Sequence, residues 1–240
     1  MQKMKWMAGA AMMMAGAVSA ELITIVIDRD YNSGNNIAEY SAWDTSKPWD
    51  GTADSGDGNF AIGTAAGVSL TNGTQLRRPA FFFKIPTGCT SAQIINATLK
   101  VRLNVKMNPT TALSIWSAAT NTLWGGGNAT YAKSMFSNSS FTDTGLGLAT
   151  TATAGIHTFN VTSLVKAALD QNLSTTVVAF RFQMDNDTSF TYGTLSNYNI
   201  IGFDAETIGN RPALTLEVMP ITVGLFNVPS GDLPFSRRLI

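Results

Sequence analysis

Residues Ala97–Val105, ATLKVRLNV, alternate without a break. Ala97, Leu99, Val101, Leu103 and Val105 fall on one side of an extended chain, and Thr98, Lys100, Arg102 and Asn104 on the other. A period of two puts one face in a core and leaves the other in water. Just before it, Pro79–Ile85 is almost continuously apolar through Ala80, Phe81, Phe82, Phe83 and Ile85. Pro86, Gly88 and Thr90–Ser91 punctuate the link between the two runs. Two such strands joined by a turn-rich link are an antiparallel signal, and the rest of the chain has to supply their partners.

The partners are short and numerous. Leu22–Ile27, Phe60–Gly63, Val68–Leu70, Leu113–Ser117, His157–Val161, Thr176–Phe182, Asn199–Phe203 and Ala213–Val218 all have strand character. One helix interrupts them. Thr162-Ser163 offers an N-cap, Leu164, Val165, Ala168 and Leu169 share a face, and the helix ends near Asn172. Phe136–Ala154 is rich in Ser, Thr and Gly and reads as a meandering loop. About nine or ten short strands with one small helix define an all-β class, an antiparallel jelly-roll β-sandwich with one short helix.

At 240 residues the chain holds one such domain and short extras. Met1–Ala20 has the form of a signal peptide: Lys3 and Lys5, an apolar Met7–Val18, then Val18-Ser19-Ala20 for a signal peptidase cutting before Glu21. The apolar run is too short to span about 30 Å of hydrocarbon, and no later segment has transmembrane character. Residues 21–219 form the domain and residues 220–240 a C-terminal tail. The location expected is secreted, extracellular or on the cell surface.

Charge removes several classes. Net charge is zero and 13% of residues are charged. The cations are scattered, so there is no electrostatic footprint for nucleic acid. Cys89 is the only cysteine, which excludes an internal disulfide and a thiolate metal cluster. His157 is the only histidine. No Gly-x-Ser-x-Gly elbow accompanies it, so a hydrogen-bonded strand residue is the expected role. The glutamates are Glu21, Glu39, Glu206 and Glu217, and the aspartates look turn-like, so no carboxylate pair for glycoside hydrolysis stands out. NTLWGGGNATY at Asn121–Tyr131 has a triple glycine but neither the Lys-Ser/Thr nor the strand–helix setting of a P-loop.

Between Asp28 and Asp57 the chain makes a long excursion rich in Gly and Asp, with Tyr31, Tyr40, Trp43 and Trp49. DSGDG at Asp54–Gly58 lacks the spacing and distal glutamate of a calcium loop. Sugars stack their C–H faces on indole and phenol rings, so Tyr40, Trp43 and Trp49 are candidate ligand contacts, or pins holding the loop to the sandwich. Arg77, Arg78 and Lys84 near the Phe strand are candidates for an anionic polysaccharide; for Arg77 or Arg78 a structural ion pair is the favoured role. Asp28 and Asp30 after one strand, with Asp185 and Asp187 after another, are candidate ligands for a structural Ca²⁺, the one cofactor suggested.

Three stretches in order resemble the DNRLRE-type domain, classed with carbohydrate-binding module family 96: RRPAFFFKIP with SAQIINATLKVRL, FNVTSLVKAALDQN at Phe159–Asn172, and NRPALTLEV at Asn210–Val218. Trp124–Tyr131 is similar to that family's W-EG-ATW segment, with Tyr131 in place of a Trp. The resemblance spans Leu22 to Val218. It implies a secreted jelly roll associated with polysaccharide-degrading enzymes or surface proteins, with Trp116 and Trp124 in its framework. The tail VGLFNVPSGDLPFSRRLI is similar to a PEP-CTERM sorting tail at Val228-Pro229 and Arg237-Arg238, without the glutamate, second proline and helix. The function expected is a non-catalytic module whose partner is a polysaccharide or a cell-surface matrix. The alternatives are an adhesive surface protein with protein partners, and a polysaccharide lyase or hydrolase.

Overall fold

The computed structural model describes residues 19–27, 37–44, 47–48, 59–66, 74–107, 109, 111–121, 141–185, 196–201 and 208–220. The two runs that opened the sequence are its longest strands. β1 (Glu21–Val26), β2 (Ile37–Asp44), β3 (Lys47–Pro48) and β4 (Asn59–Ala66) precede β5 (Thr74–Lys84) and β6 (Ile94–Met107). β7 (Leu113–Thr120), β8 (Thr142–Leu148) and β9 (Gly155–Asn160) lead to the helix α1 (Thr162–Leu169). β10 (Val177–Met184), β11 (Ser196–Ile201) and β12 (Ala213–Val218) follow.

Every pairing among the described residues is antiparallel. β6 pairs β12 over Ile94–Lys100, β9 over Thr98–Leu103 and β11 over Leu103–Met107. A strand has two edges, so β9 takes one and β12 and β11 share the other. One layer therefore runs β1-β12-β6-β9. The same logic applied to β5 gives β2 one edge, while β4 and β10 divide the other. The second layer runs β5-β10-β7-β8. Each layer interleaves strands from distant parts of the chain, which is the wrapping of a jelly roll. β11 and β4 join the layers along one side.

The core lies between the layers. Ala97, Leu99, Val101 and Leu103 are at most 1% exposed, and they meet Phe81, Phe83, Val178, Phe180 and Phe182. The Phe81 and Phe182 rings sit edge to face at 5.1 Å, a favoured geometry for two ring quadrupoles. Thr98, Lys100, Arg102 and Asn104 stay partly exposed on the outward side, as the alternation requires. Among the described residues no helix is long and apolar enough to cross a membrane.

Three expectations change. Phe136–Ala154 is not all loop, because β8 occupies Thr142–Leu148 and pairs with β7. Its glycines hide it from a propensity reading. Gly145 has φ +69° at a bulge, and a Cβ on Gly147 would stand 2.0 Å from the Leu113 carbonyl oxygen. Gly147→Ala is therefore expected to destabilise by about 1–3 kcal/mol, read as a fall in Tm of a few degrees per kcal/mol. An unchanged Tm would show that β8 does not lie this close to β7.

The excursion after β1 also contains strand: Tyr40 and Trp43 lie in β2, paired to β5, rather than in a loop. The helix N-cap is Val161, not Thr162-Ser163. Thr162 is instead a clasp. Its hydroxyl accepts from the Ala97 N–H at 2.8 Å and donates to Asn96 Oδ1 at 3.0 Å, while Asn160 Oδ1 accepts from the Thr162 N–H. These bonds dock α1 on β6. The helix ends where Asn172 turns left-handed, φ 52°, as asparagine tolerates. The signal segment through Val18, Asp54–Gly58, Val68–Leu70, Trp124–Tyr131 and the tail from Ile221 lie outside the described residues.

Candidate functional site

A sandwich layer normally turns one face to water, yet every residue of β10 is buried. The second layer therefore has a covered outward face, and on it Arg78, Arg181, Gln183 and Ser114 stand among the apolar Ala80, Phe82 and Ala179. Register sets Arg181 of β10 opposite Ala80 of β5 and Trp116 of β7, and Trp116 opposite Asp143 of β8. Opposed residues share a face, so Arg181, Trp116 and Asp143 form one row across three strands. Two residues along, Gln183 faces Ser114 and Ser114 faces Gly147. Arg78 belongs to the same face as Ala80, and Tyr40 is its register partner on β2.

Arg181 is fully buried. Its guanidinium carbon lies 5.4 Å from the Trp116 ring centre and 4.6 Å from that of Phe141. Nη2 donates to Gln183 Oε1. A guanidinium keeps its charge, so desolvation has to be offset by rings and hydrogen bonds. A desolvated cation over an aromatic face recovers about 2 kcal/mol. Arg181 thus clamps Trp116 and Phe141 over the sheet.

The row opens toward its β8 end. Trp116 is half-buried and Asp143 is exposed. Asp143 Oδ1 accepts from the Gly145 N–H at 2.9 Å, and Thr144 Oγ1 donates to the Ile115 carbonyl, fixing the bulge. Asp143 lines two clefts. One, of about 370 Å³, runs between β7 and α1 past Ser117, Thr142 and Gln171. The other, of about 400 Å³, runs past Ser114, Gly147 and Asp185. Ser114 Oγ donates to Asp185 Oδ1, and the Asp185 N–H donates to the Ala112 carbonyl at 2.8 Å.

The residues singled out from sequence fare differently. Arg78 is 4% exposed, so it belongs to the packed layer and does not offer an exposed cation to an anionic polysaccharide. Lys84 ends β5 opposite Val177 and is half-buried. Tyr40 and Trp43 are placed in β2, with Tyr40 opposite Arg78. Trp49, Asp28, Asp30 and Asp187 lie outside the described residues, and Asp185 lines the second cleft. Among the described residues no three His, Cys, Asp or Glu side chains come together as a metal site. His157 Nε2 donates to the Thr153 carbonyl at 2.9 Å, the strand role expected of it. Asp143 was not legible as a site residue, because its strand was not.

Two acids, Tyr198 buried and Cys89 half-buried, link this fold to pH. Tyr198 donates its hydroxyl to the Thr111 carbonyl at 2.9 Å; burial, then the negative charge of Asp185, push its pKa above the ordinary 10.0. Burial, then Glu21, raise the Cys89 thiol above 9.0. Raised acids hold their protons more tightly when folded, so stability is full below the unfolded pKa and falls as pH climbs through the folded one. Denaturation midpoints are expected to be indifferent to these groups up to about pH 8.5 and then to decline. Cys89→Ser is expected to remove the first part of the decline, and a parallel decline in that variant would exclude the thiol.

No protein-family model matches the chain, and no curated protein matches it.

Proposed function

We propose that this chain is a secreted, non-catalytic jelly-roll module of the DNRLRE type that binds polysaccharide along the β7–β8 edge of its second layer. The observation that supports the reading is the row Arg181–Trp116–Asp143, buried and rigid at one end and open at the other, where Asp143 lines two clefts of ligand size at the sheet edge. Hydroxyl, amide and carboxylate groups on a fixed strand edge suit the hydroxyls of a sugar chain, and the clamped Trp116 fixes that edge. The test is a panel of polysaccharides in pull-down and array format against the purified protein. Gln171→Ala and Thr142→Ala, both at surface positions, are expected to weaken retention without shifting Tm. Uniform absence of binding removes the reading.

One observation favours a second reading. Asp143 and Asp185 line the same cleft, and a glycoside hydrolase needs two carboxylates. Release of reducing ends from any member of the panel, abolished in Asp143→Asn, would make the protein an enzyme.

A further inference from the structure

The sequence holds seven Asn-x-Ser/Thr triplets, the acceptor pattern for an N-linked glycan. Three of them, at Asn96, Asn160 and Asn172, lie among the described residues. A transferase has to draw such a triplet out as a short extended stretch, with the asparagine amide and the hydroxyl two residues on both free to enter its site. The first two triplets do not meet that need. Asn96 and Thr98 belong to β6, where Thr98 faces β12 on one side and β9 on the other, and Asn96 Oδ1 accepts from Thr162. Asn160 faces Thr98 in the ladder, and the hydroxyl of its triplet, on Thr162, is the clasp that docks α1. Releasing either triplet means stripping β9 and α1 from β6.

Asn172 is placed differently. It lies between the end of α1 and the start of β10, outside every helix and strand. Asp170, Gln171, Asn172 and Ser174 are all exposed. Asn172 Nδ2 donates to the Asp170 carbonyl at 3.1 Å, an exposed bond that water can replace. Asp170 also sets this triplet apart, because none of the other six has an acidic residue two positions before its asparagine. An exposed carboxylate there offers a basic side chain of a transferase a charge-assisted hydrogen bond.

We infer that Asn172 is the acceptor of an N-linked glycan, donated by a polyisoprenyl-pyrophosphate oligosaccharide. Nδ2 bonds to the sugar C1 as the C1–O bond to the pyrophosphate breaks. The polyisoprenyl pyrophosphate leaves with the bonding pair, the amide nitrogen gives up one proton, and nothing is oxidised or reduced. The inference rests on the export part of the reading above, since that donor meets chains as they leave the cytoplasm, and not on polysaccharide binding.

Transfer in vitro to the purified, folded full chain tests this. The reagents are a bacterial-type oligosaccharyltransferase and a polyisoprenyl-pyrophosphate oligosaccharide of known mass, and the readouts are intact mass and peptide mapping. One oligosaccharide is expected on the peptide Ala167–Arg181. Asn172→Gly keeps the left-handed turn and removes the acceptor. Ser174→Ala keeps the acceptor and removes the hydroxyl. Both are expected to abolish transfer to this peptide with Tm unchanged. Asp170→Ala is expected to slow transfer at least about tenfold, the loss of one charge-assisted hydrogen bond. Asn172 left bare while a control acceptor peptide is glycosylated, or equal transfer to the wild type and Asn172→Gly, overturns the assignment. Export is read separately, by expressing the chain with residues 1–20 in a cell that carries the same transferase. Retention of that segment with no glycan added, beside successful transfer in vitro, overturns the export reading alone.

Discussion

Phe81→Ala is expected to lower the unfolding free energy by about 3–5 kcal/mol. Phe81 is fully buried at the centre of β5, edge to face with Phe182, and opposite Phe180 in the ladder. It therefore touches both halves of the idea of a sandwich: its backbone holds β10 in register and its ring fills the space against the other layer. Removing the ring forfeits its burial and opens a cavity that flanking strands cannot close without breaking their pairing. Phe82→Ala separates the two faces. Phe82 is equally buried but lies on the outward side with Ala179. If chemical denaturation gave a loss for Phe81→Ala below about 1 kcal/mol, the layer assignment of β5 would be wrong.

Arg181→Ala is expected to cost a similar amount, about 3–5 kcal/mol, for a different reason. It strips a buried cation from between Trp116 and Phe141 and leaves Gln183 Oε1 without the donor it accepts from. Arg181→Lys is expected to recover only part of this loss. An ammonium keeps the charge but has no flat face to lay against the rings. A double-mutant cycle of Arg181→Ala with Trp116→Leu is expected to give a coupling of about 1–2 kcal/mol. Additive effects would mean that the cation and the indole are neighbours without interacting.

The sequence made the core-facing side of the sandwich plain and the outward side of its second layer obscure, for physical reasons. In β6 one face is wet, so the alternation of Leu99, Val101 and Leu103 with Lys100 and Arg102 reveals both the strand and its orientation. In β10 both faces are buried, and VVAFRFQM reads as an apolar run in which Arg181 and Gln183 look incidental. Only the register shows that they face Trp116 and Ser114. β8 was lost because its pairing depends on Gly147, which a propensity reading counts against a strand, while the Leu113 carbonyl allows nothing larger there. Losing β8 meant losing Asp143. The helix was legible from its apolar face, but the role of Thr162 was not, since its hydroxyl bonds residues 65 and 66 positions away.

Binding along the β7–β8 edge is tested most directly by titrating neutral glucan fragments into the isotope-labelled protein and following backbone amide shifts. The expected result is a contiguous set of shifts at Ser114–Ala119, Thr142–Ala149 and Gln171, with β1, β12 and β9 unmoved. Shifts confined to those three strands of the opposite layer, or none at all at saturating sugar, would contradict it.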